Sequence, residues 1–472
     1  MTKTAARAAS ASGASQWRAL PILLVGTFLI VLDFFAVNVA LPAIQASLDT
    51  GSAVVEWVIA GYGASFAMFM ITAGRVADQI GRRRVFALGL VLFGVASAAC
   101  GLAPTAAVLI GARVIQGIGA ALISPTVLAL IGVLFPGAAR ARAISVYAVV
   151  MGLAASGGQL IGAALITADL AGLGWRAIFL INLPLIMLVL GLVGRLIPES
   201  CAERPRGLDL VGMTLLSLTL LVLVLPLISG RAAGWPSWAW ACLGLAPLLG
   251  MAFVAQQHRR ARADRDPLCD PVLVANRAFR VGLGVQLAYW CSQAPFYLVL
   301  SLYLQHGRGL SPLGAGAVFT IQALAYLVVS LRAPALAARH GRIVITLGAL
   351  VLAVGFASLA TVSALWGATE PVWVLCPPLV VIGAGIGLCI TPLTMTVLTH
   401  ADPQRSGLVS GALSTMQQAG NTLGVALTGI IFFTALPSGY GNAFTLALAE
   451  LASLLVGVAA LSRLLPTPRS SR

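Results

Sequence analysis

Gly74-Arg75-Val76-Ala77-Asp78-Gln79-Ile80-Gly81-Arg82-Arg83-Arg84 joins two apolar runs, 54–74 and 85–103, and its reading decides the fold. A hydrocarbon core about 30 Å thick needs roughly 20 apolar residues per helix. The two runs therefore predict membrane helices linked by a short polar turn. Gly74 and Gly81 allow close backbone approach and tight turning. Asp78 can cap or bond a neighbouring helix end, and the arginines can reach carboxylates or helix C-termini. A generic basic loop is the plainer reading, but G-x-x-x-D-x-x-G-R-R is specific spacing for one.

The same alternation runs through the whole chain. Its 472 residues are 59% hydrophobic and 9% charged, with a mean hydropathy of +0.98, which excludes a water-soluble fold. Spans are expected near 19–41, 54–74, 85–103, 107–131, 144–167, 177–196, 209–229, 238–256, 279–304, 312–331, 343–364, 372–398, 407–435 and 443–462. If the N-terminus is cytoplasmic, only Arg176, Arg231 and Arg308 fall on the far side and Arg113 within a helix; the other basic residues all lie inside. That bias puts both termini in the cytoplasm and explains the net charge of +15 without nucleic acid. The Ala/Ser-rich first sixteen residues lead into a retained helix rather than a cleaved signal. Seven scattered cysteines form no CxxC, and histidines 258, 306, 340 and 400 pair with nothing, so neither metal nor cofactor is expected.

Two long charged connectors, 197–208 and 257–278, flank the seventh and eighth runs. Setting that pair aside leaves six helices on each side, the plan of carriers built from two related halves. The expected fold is an all-α polytopic membrane protein of 14 helices. It divides into a six-helix half (1–203), a two-helix central insert with cytoplasmic flanks (204–265) and a second six-helix half (266–472). A monomer suffices for this plan, and its partner is the lipid bilayer of the cell (cytoplasmic) membrane.

Two charges stand deep in the first half. Asp33 sits within Leu32-Asp33-Phe34-Phe35-Ala36-Val37-Asn38-Val39-Ala40-Leu41-Pro42. A carboxylate at mid-helix costs roughly 2.5 to 3.5 kcal/mol on insertion scales, so it should face a cavity or a counter-charge. In the fourth run Arg113, Gln116, Gly117, Ala120 and Ser124 share one face at about 100° per residue. Arg cannot release a proton. Burial and Arg113 pull the ionisation of Asp33 in opposite senses, which suits a proton carrier tuned by an arginine. A purely structural ion pair is the alternative.

These segments resemble the major facilitator superfamily and its fourteen-helix drug:proton antiporter branch. The resemblance rests on the 74–84 loop, the Leu32–Pro42 pattern and Arg113-Val-Ile-Gln116-Gly117-Ile-Gly119. Trp57, Tyr62, Trp175 through Asn182-Leu-Pro184 and Gln417-Gln418-Ala-Gly420 also match branch features. It implies proton coupling at Asp33, Arg113 and Gln116, and a cytoplasmic gate of Gly74, Asp78, Gly81, Arg82 and Arg83. The fifth run departs from the family pattern: Gln159 stands where proline is usual and Ala163 where glycine is, so no preset kink is expected. Ala154, Gly158 and Gly162 still form a small-residue stripe for helix packing.

A substrate cavity is expected between the halves. Phe34, Asn38, Tyr62 and Gln159 would line one side, and Gln286, Trp290, Gln293, Tyr297, Gln322, Gln418 and Asn421 the other. Amphipathic, aromatic walls suit a lipophilic small molecule; interhelical hydrogen bonding is the alternative for each residue. Ser410, Ser414, Gln418 and Thr422 form an i+4 row, and Phe296 and Tyr326 add aromatic faces. The loop at 334–342 looks like a degraded copy of 74–84, with Ala338 at the Asp78 position. Glu56 lies near the outer end of the second run, Asp209 at an inner edge and Glu450 within the last run, where it is peripheral and expected to pack against a neighbour or snorkel. No G-x-x-x-x-G-K-[ST] loop occurs, so ATP is not the energy source. The expected function is proton-driven export of a lipophilic solute. A dedicated metabolite or antibiotic self-resistance exporter, or a carrier without antiport, is the alternative. A membrane enzyme or sensor is remoter, because no intramembrane acid pair or metal set is present.

Overall fold

The computed structural model describes residues 3–135, 137–201, 207–263, 265–269, 271–366, 371–399 and 406–465. Among these every regular element is helical. The first part comprises α1 (Lys3–Ser47), α2 (Ser52–Ile80), α3 (Arg82–Gly101), α4 (Ala106–Leu134), α5 (Ala138–Ala168), α6 (Ala177–Leu180) and α7 (Asn182–Leu196). A hairpin follows, α8 (Leu210–Ala232) and α9 (Ser237–Arg262). The last part comprises α10 (Pro271–Ala275), α11 (Arg277–Trp290), α12 (Gln293–Leu302), α13 (Pro312–Ser330), α14 (Ala333–His340), α15 (Arg342–Trp366), α16 (Cys376–Thr399), α17 (Ser406–Ala435) and α18 (Tyr440–Ser462). The side chains of Ser410 and Ala338, and residues Arg204, Arg206, Arg405 and His400, lie outside the described residues.

Among the described residues, twelve helices are long and apolar enough to cross a bilayer, and bent α5 makes a thirteenth if counted as one span. The expected fourteen therefore do not all appear as unbroken helices. The difference lies in the ninth run, 279–304, which splits at Cys291–Ser292 into α11 and α12. Pro295 has no N–H to donate to the carbonyl four residues back, so the helix restarts instead of continuing. The hydroxyl of Ser292 turns back onto the Tyr289 carbonyl at 2.7 Å. A π-turn, Tyr303–Gly307, ends the segment.

Helix α5 also corrects an expectation. It bends by 40° between Arg142–Ala155 and Gly157–Ala168 without a proline. Adjacent Gly157 and Gly158 supply the freedom that a Gln at 159 does not remove. Its small-residue stripe meets α1: a Cβ on Gly158 would lie 2.9 Å from the Phe35 Cβ, and one on Gly162 2.9 Å from the Ala36 Cβ.

The first part is held by α4 against α2 and α3 and by α1 against α5. The last part is held by α15 against α16 and α18, and by α13 against α16. The two parts meet along α2–α17, α5–α13 and α1–α12. In the hairpin, α8 packs on α2 and α17, whereas only 11% of the most apolar window of α9 is buried. The crossing of α2 and α4 is the tightest helix contact near the buried charges. A Cβ on Gly117 would stand 2.3 Å from the Tyr62 carbonyl oxygen and 2.1 Å from the Ser65 hydroxyl.

That crossing gives a direct test. Gly117→Ala forces α2 and α4 apart, and overpacking of this kind costs about 1–3 kcal/mol. Thermal unfolding of the purified protein in detergent should show a clearly lowered midpoint; an unchanged midpoint contradicts the packing described.

Candidate functional site

Five helices bring polar side chains to one point inside the first part. Asp33 on α1 accepts from Arg113 Nη1 of α4 at 2.5 Å through Oδ2. Its Oδ1 accepts from Gln116 Nε2 at 2.9 Å and from Asn182 Nδ2 of α7 at 3.4 Å. Ser97 on α3 accepts from Gln116 at 2.8 Å and from Asn182 at 3.2 Å. Arg113 also donates to the Val58 carbonyl of α2 at 2.9 Å and to Gln116 Oε1 at 2.7 Å. The guanidinium lies 4.3 Å from the Tyr62 ring centre and 5.7 Å from that of Phe179, geometry for cation–π attraction.

Burial is complete: Asp33 is 2% exposed, and Arg113, Gln116, Ser97, Asn182 and Tyr62 are 0%. Desolvating both ions costs several kcal/mol each, so such a pair is weak evidence for stability. What it imposes is a constraint. Removing either charge strands the other in a site closed to bulk solvent, at a cost of about 3–5 kcal/mol. Two atoms within the cluster, Arg113 Nη2 and Asn182 Oδ1, have no hydrogen-bond partner among the described residues. Buried polar groups are rarely left so, and each exception calls for an explanation.

The sequence reading paired Asp33, Arg113 and Gln116, and the structure brings all three together. It placed Tyr62 in the cavity wall, whereas Tyr62 lies under Arg113 with its hydroxyl 3.5 Å from the Ile30 carbonyl. Sequence reasoning misses Asn182 as a partner of the acid and Ser97 as the acceptor that holds Gln116 and Asn182. Asn182 carried a signal, a lone amide in an apolar run; a serine in α3 carried almost none.

Of the other cavity candidates, Asn38, Tyr297 and Gln159 lie near the contacts of α1 with α12 and of α5 with α13, whereas Gln286 and Trp290 are on α11, which packs on α16, α17 and α18 of the last part. Phe35 meets Tyr297 edge-on at 5.1 Å, and Phe34 meets Phe35 edge-on at 5.3 Å. Ser301 donates to the Asn38 carbonyl at 2.6 Å, and Gln305 to that of Val39 at 3.0 Å. Gln322 donates to the Tyr297 hydroxyl at 3.0 Å, Asn421 to Gln418 at 3.1 Å and Gln293 to Ser292 at 2.9 Å. Trp290 packs on Tyr289 at 5.5 Å. Asn38 Oδ1, Gln159 Nε2, Gln286 Oε1, Gln322 Oε1 and Asn421 Oδ1 are buried without a partner among the described residues. The amides are therefore only partly spent on each other.

The 74–84 segment is arranged differently from the expected latch. Asp78 pairs with Arg82 at 2.8 Å within its own turn. Arg83 turns instead to Glu199, which follows α7: its backbone N–H donates at 3.0 Å and its side chain lies 3.6 Å away. Arg84 lies at 3.6 Å from the same carboxylate, and the Arg82 N–H donates to the Ser200 carbonyl at 2.9 Å. Gly81 has φ +115°, and a Cβ there would come 2.6 Å from the Glu199 carboxyl, so this glycine is needed on both counts. Gly74, expected to permit close approach, has only an ordinary 3.8 Å contact with Pro125. Arg75 reaches the Gly207 carbonyl at 2.9 Å and also the Pro267 carbonyl, tying α2 to both flanks of the hairpin. Asp209 caps α8 there. Burial opposes its ionisation, but hydrogen bonds from Gly212, Gln257 and Gln256, with Arg260 nearby, hold its pKa below the usual range. Glu450 accepts from Thr428 at 2.8 Å and so packs against its neighbour.

Removing Glu199 should therefore matter more than removing Asp78. Glu199→Ala deletes a charge-assisted bond between segments and should cost about 1–2 kcal/mol. Asp78→Ala deletes a half-exposed i,i+4 pair and should cost no more than about 0.5 kcal/mol. Thermal unfolding of the two variants checks the order, and equal or reversed losses contradict it.

Comparison with known proteins bears on the fold and the family. The family described as the Major Facilitator Superfamily matches residues 23–425. A protein named probable actinorhodin transporter, from Streptomyces coelicolor, is 37% identical over 90% of this chain and 74% of its own length. Multidrug resistance protein Stp of Mycobacterium tuberculosis is 34% identical over 86% of this chain and 74% of its own. A crystal structure of a POT family transporter with 5-aminolevulinic acid superposes with a TM-score of 0.70 at 17% identity, over 96% of this chain and 97% of that one, a likeness of fold alone. With its helical bundle and its matched span, the chain belongs to the Major Facilitator Superfamily.

Proposed function

We propose that this protein is a secondary exporter of lipophilic, drug-like small molecules, driven by proton uptake through Asp33. The observation that carries the reading is the sealed Asp33–Arg113–Gln116 cluster. A proton on Asp33 cancels its charge and strands Arg113, so protonation favours a rearrangement of α1 against α4. A carrier needs that link between ion occupancy and shape. Relatives named as an actinorhodin transporter and a multidrug resistance protein support the class of solute. The unpartnered amide oxygens of Asn38, Gln286, Gln322 and Asn421, with the aromatic contact of Phe35 and Tyr297, suit an amphipathic guest. Because α5 bends at Gly157–Gly158, Gln159 in place of proline does not weigh against antiport.

In this reading α11 and α12 cross the membrane together as one broken helix, giving fourteen crossings. Residues 1–203 and 266–472 are the two halves, and 204–265 is the insert. Both termini face the cytoplasm, following the arginine bias of the loops. The described contacts between halves at Asn38–Ser301, Val39–Gln305 and Glu56–Gly429 then lie on the far side, while α2 and α17 also approach each other toward the cytoplasmic end at Ile71 and Gly411.

The test is efflux of ethidium from a pump-deficient host. Wild type should extrude the dye, and a protonophore should abolish extrusion. Asp33→Asn should lower active efflux by at least about tenfold, equivalent to about 1.4 kcal/mol, at an unchanged membrane level. Undiminished, protonophore-sensitive efflux by Asp33→Asn would overturn the coupling role.

A further inference from the structure

We propose that Glu56 and Arg231 form a lock at the arginine-poor end of the bundle, through which the central hairpin holds the seam between α2 and α17 shut. Glu56 lies in the first turns of α2 and is 0% exposed. Its carboxyl rests on α17 where that helix has no side chain: a Cβ on Gly429 would come 2.6 Å from Oε2. The acid thus occupies the contact between helices from the two parts of the chain.

Its counter-ion comes from a third place. Arg231, in the last turn of α8, donates to Glu56 Oε1 at 2.9 Å and to the Ser52 hydroxyl at 2.8 Å. The same guanidinium lies 4.9 Å from the ring centre of Phe433 on α17. One hairpin side chain therefore touches both sides of the seam. Trp57 donates to the Ser229 hydroxyl at 2.9 Å and keeps α8 seated on α2. Glu56 Oε2 and Arg231 Nε have no hydrogen-bond partner among the described residues, so neither ion is held by a rigid, fully spent network.

Alternating access requires the two halves to part at each end in turn. When α17 leaves α2 at this end, Arg231 loses the Phe433 face and water reaches Glu56. The lock is strongest while the seam is closed, because a pair shielded from water attracts far more than a hydrated one. Removing one partner from a buried pair is strongly unfavourable to the state that buries it. The hairpin is then a working part of the carrier, although α9 faces outward along most of its length.

The test uses Ser301→Cys as a reporter in the full-length protein. Ser301 is 0% exposed, and its hydroxyl bonds the Asn38 carbonyl across the seam at the same end. Labelling by a membrane-impermeant maleimide is followed in intact cells and in inverted vesicles, after subtraction of the signal from the native cysteines. Glu56→Gln and Arg231→Gln should each speed labelling in intact cells roughly fivefold or more, the lower end of typical coupling between sites, with no rise in inverted vesicles. Parental rates in both variants overturn the proposal, and so does an equal rise from both sides, which marks general loosening. If either variant fails to reach the membrane, Arg231→Lys carries the comparison: an intermediate rate is expected, and the parental rate overturns the lock. The outcome does not depend on which solute is carried or on proton exchange at Asp33.

Discussion

An aspartate and an arginine in contact in a site closed to bulk solvent are bound to each other's charge, and α1 and α4 are arranged around that fact. Asp33 and Arg113 have given up the hydration that the unfolded chain, or a surface site, would supply. The neutral groups around them, Gln116, Asn182, Ser97, the Val58 carbonyl and the Tyr62 ring, compensate in part. They cannot replace a lost charge. Apolar side chains of similar volume would often hold such helices together at least as well. The pair makes sense as a device that ties charge to shape: only the carboxylate can change its proton count, and when it does the arginine must find another environment.

A second pair of opposite charges sits at a different kind of place. Asp33–Arg113 is internal to the first part of the chain, whereas Glu56–Arg231 lies where α2, α8 and α17 meet. In the proposed mechanism the first would register a proton within one part of the chain, and the second would register the parting of α2 and α17. Tight helix contacts connect them along α2, through Gly117 of α4 against Tyr62 and through Thr422 of α17 against Gly63. Packed interfaces of this kind have discrete arrangements rather than a continuous range. This gives a mechanical sense to the close packing around α2.

Much of the fold was legible in the sequence because lipid imposes simple rules. Apolar run length predicted the spans, and the mid-run acid and arginine found each other as their cost demanded. The signal failed where the backbone departs from one straight helix per run. Pro295 broke the ninth run at Cys291–Ser292, and Gly157–Gly158 bent α5 where a missing proline argued for straightness. It failed again where a partner is distant in sequence. Glu199 on Arg83, Asn182 on Asp33 and Arg231 on Glu56 are contacts of tertiary geometry, and nothing in residue spacing announces them. Tyr62 shows the remaining ambiguity: an aromatic polar residue on α2 reads equally well as cavity wall or as a platform for a cation, and three-dimensional neighbours decide.

In the proposed mechanism Asp33 gives up its proton as the carrier takes up its guest. The most direct measurement is proton release from purified protein in weakly buffered detergent solution, followed with a pH indicator as a dye that wild-type cells extrude is added. The account predicts release that saturates with dye binding in the wild type and is absent in Asp33→Asn. Saturable dye binding with no proton release in the wild type, or equal release in Asp33→Asn, would contradict it.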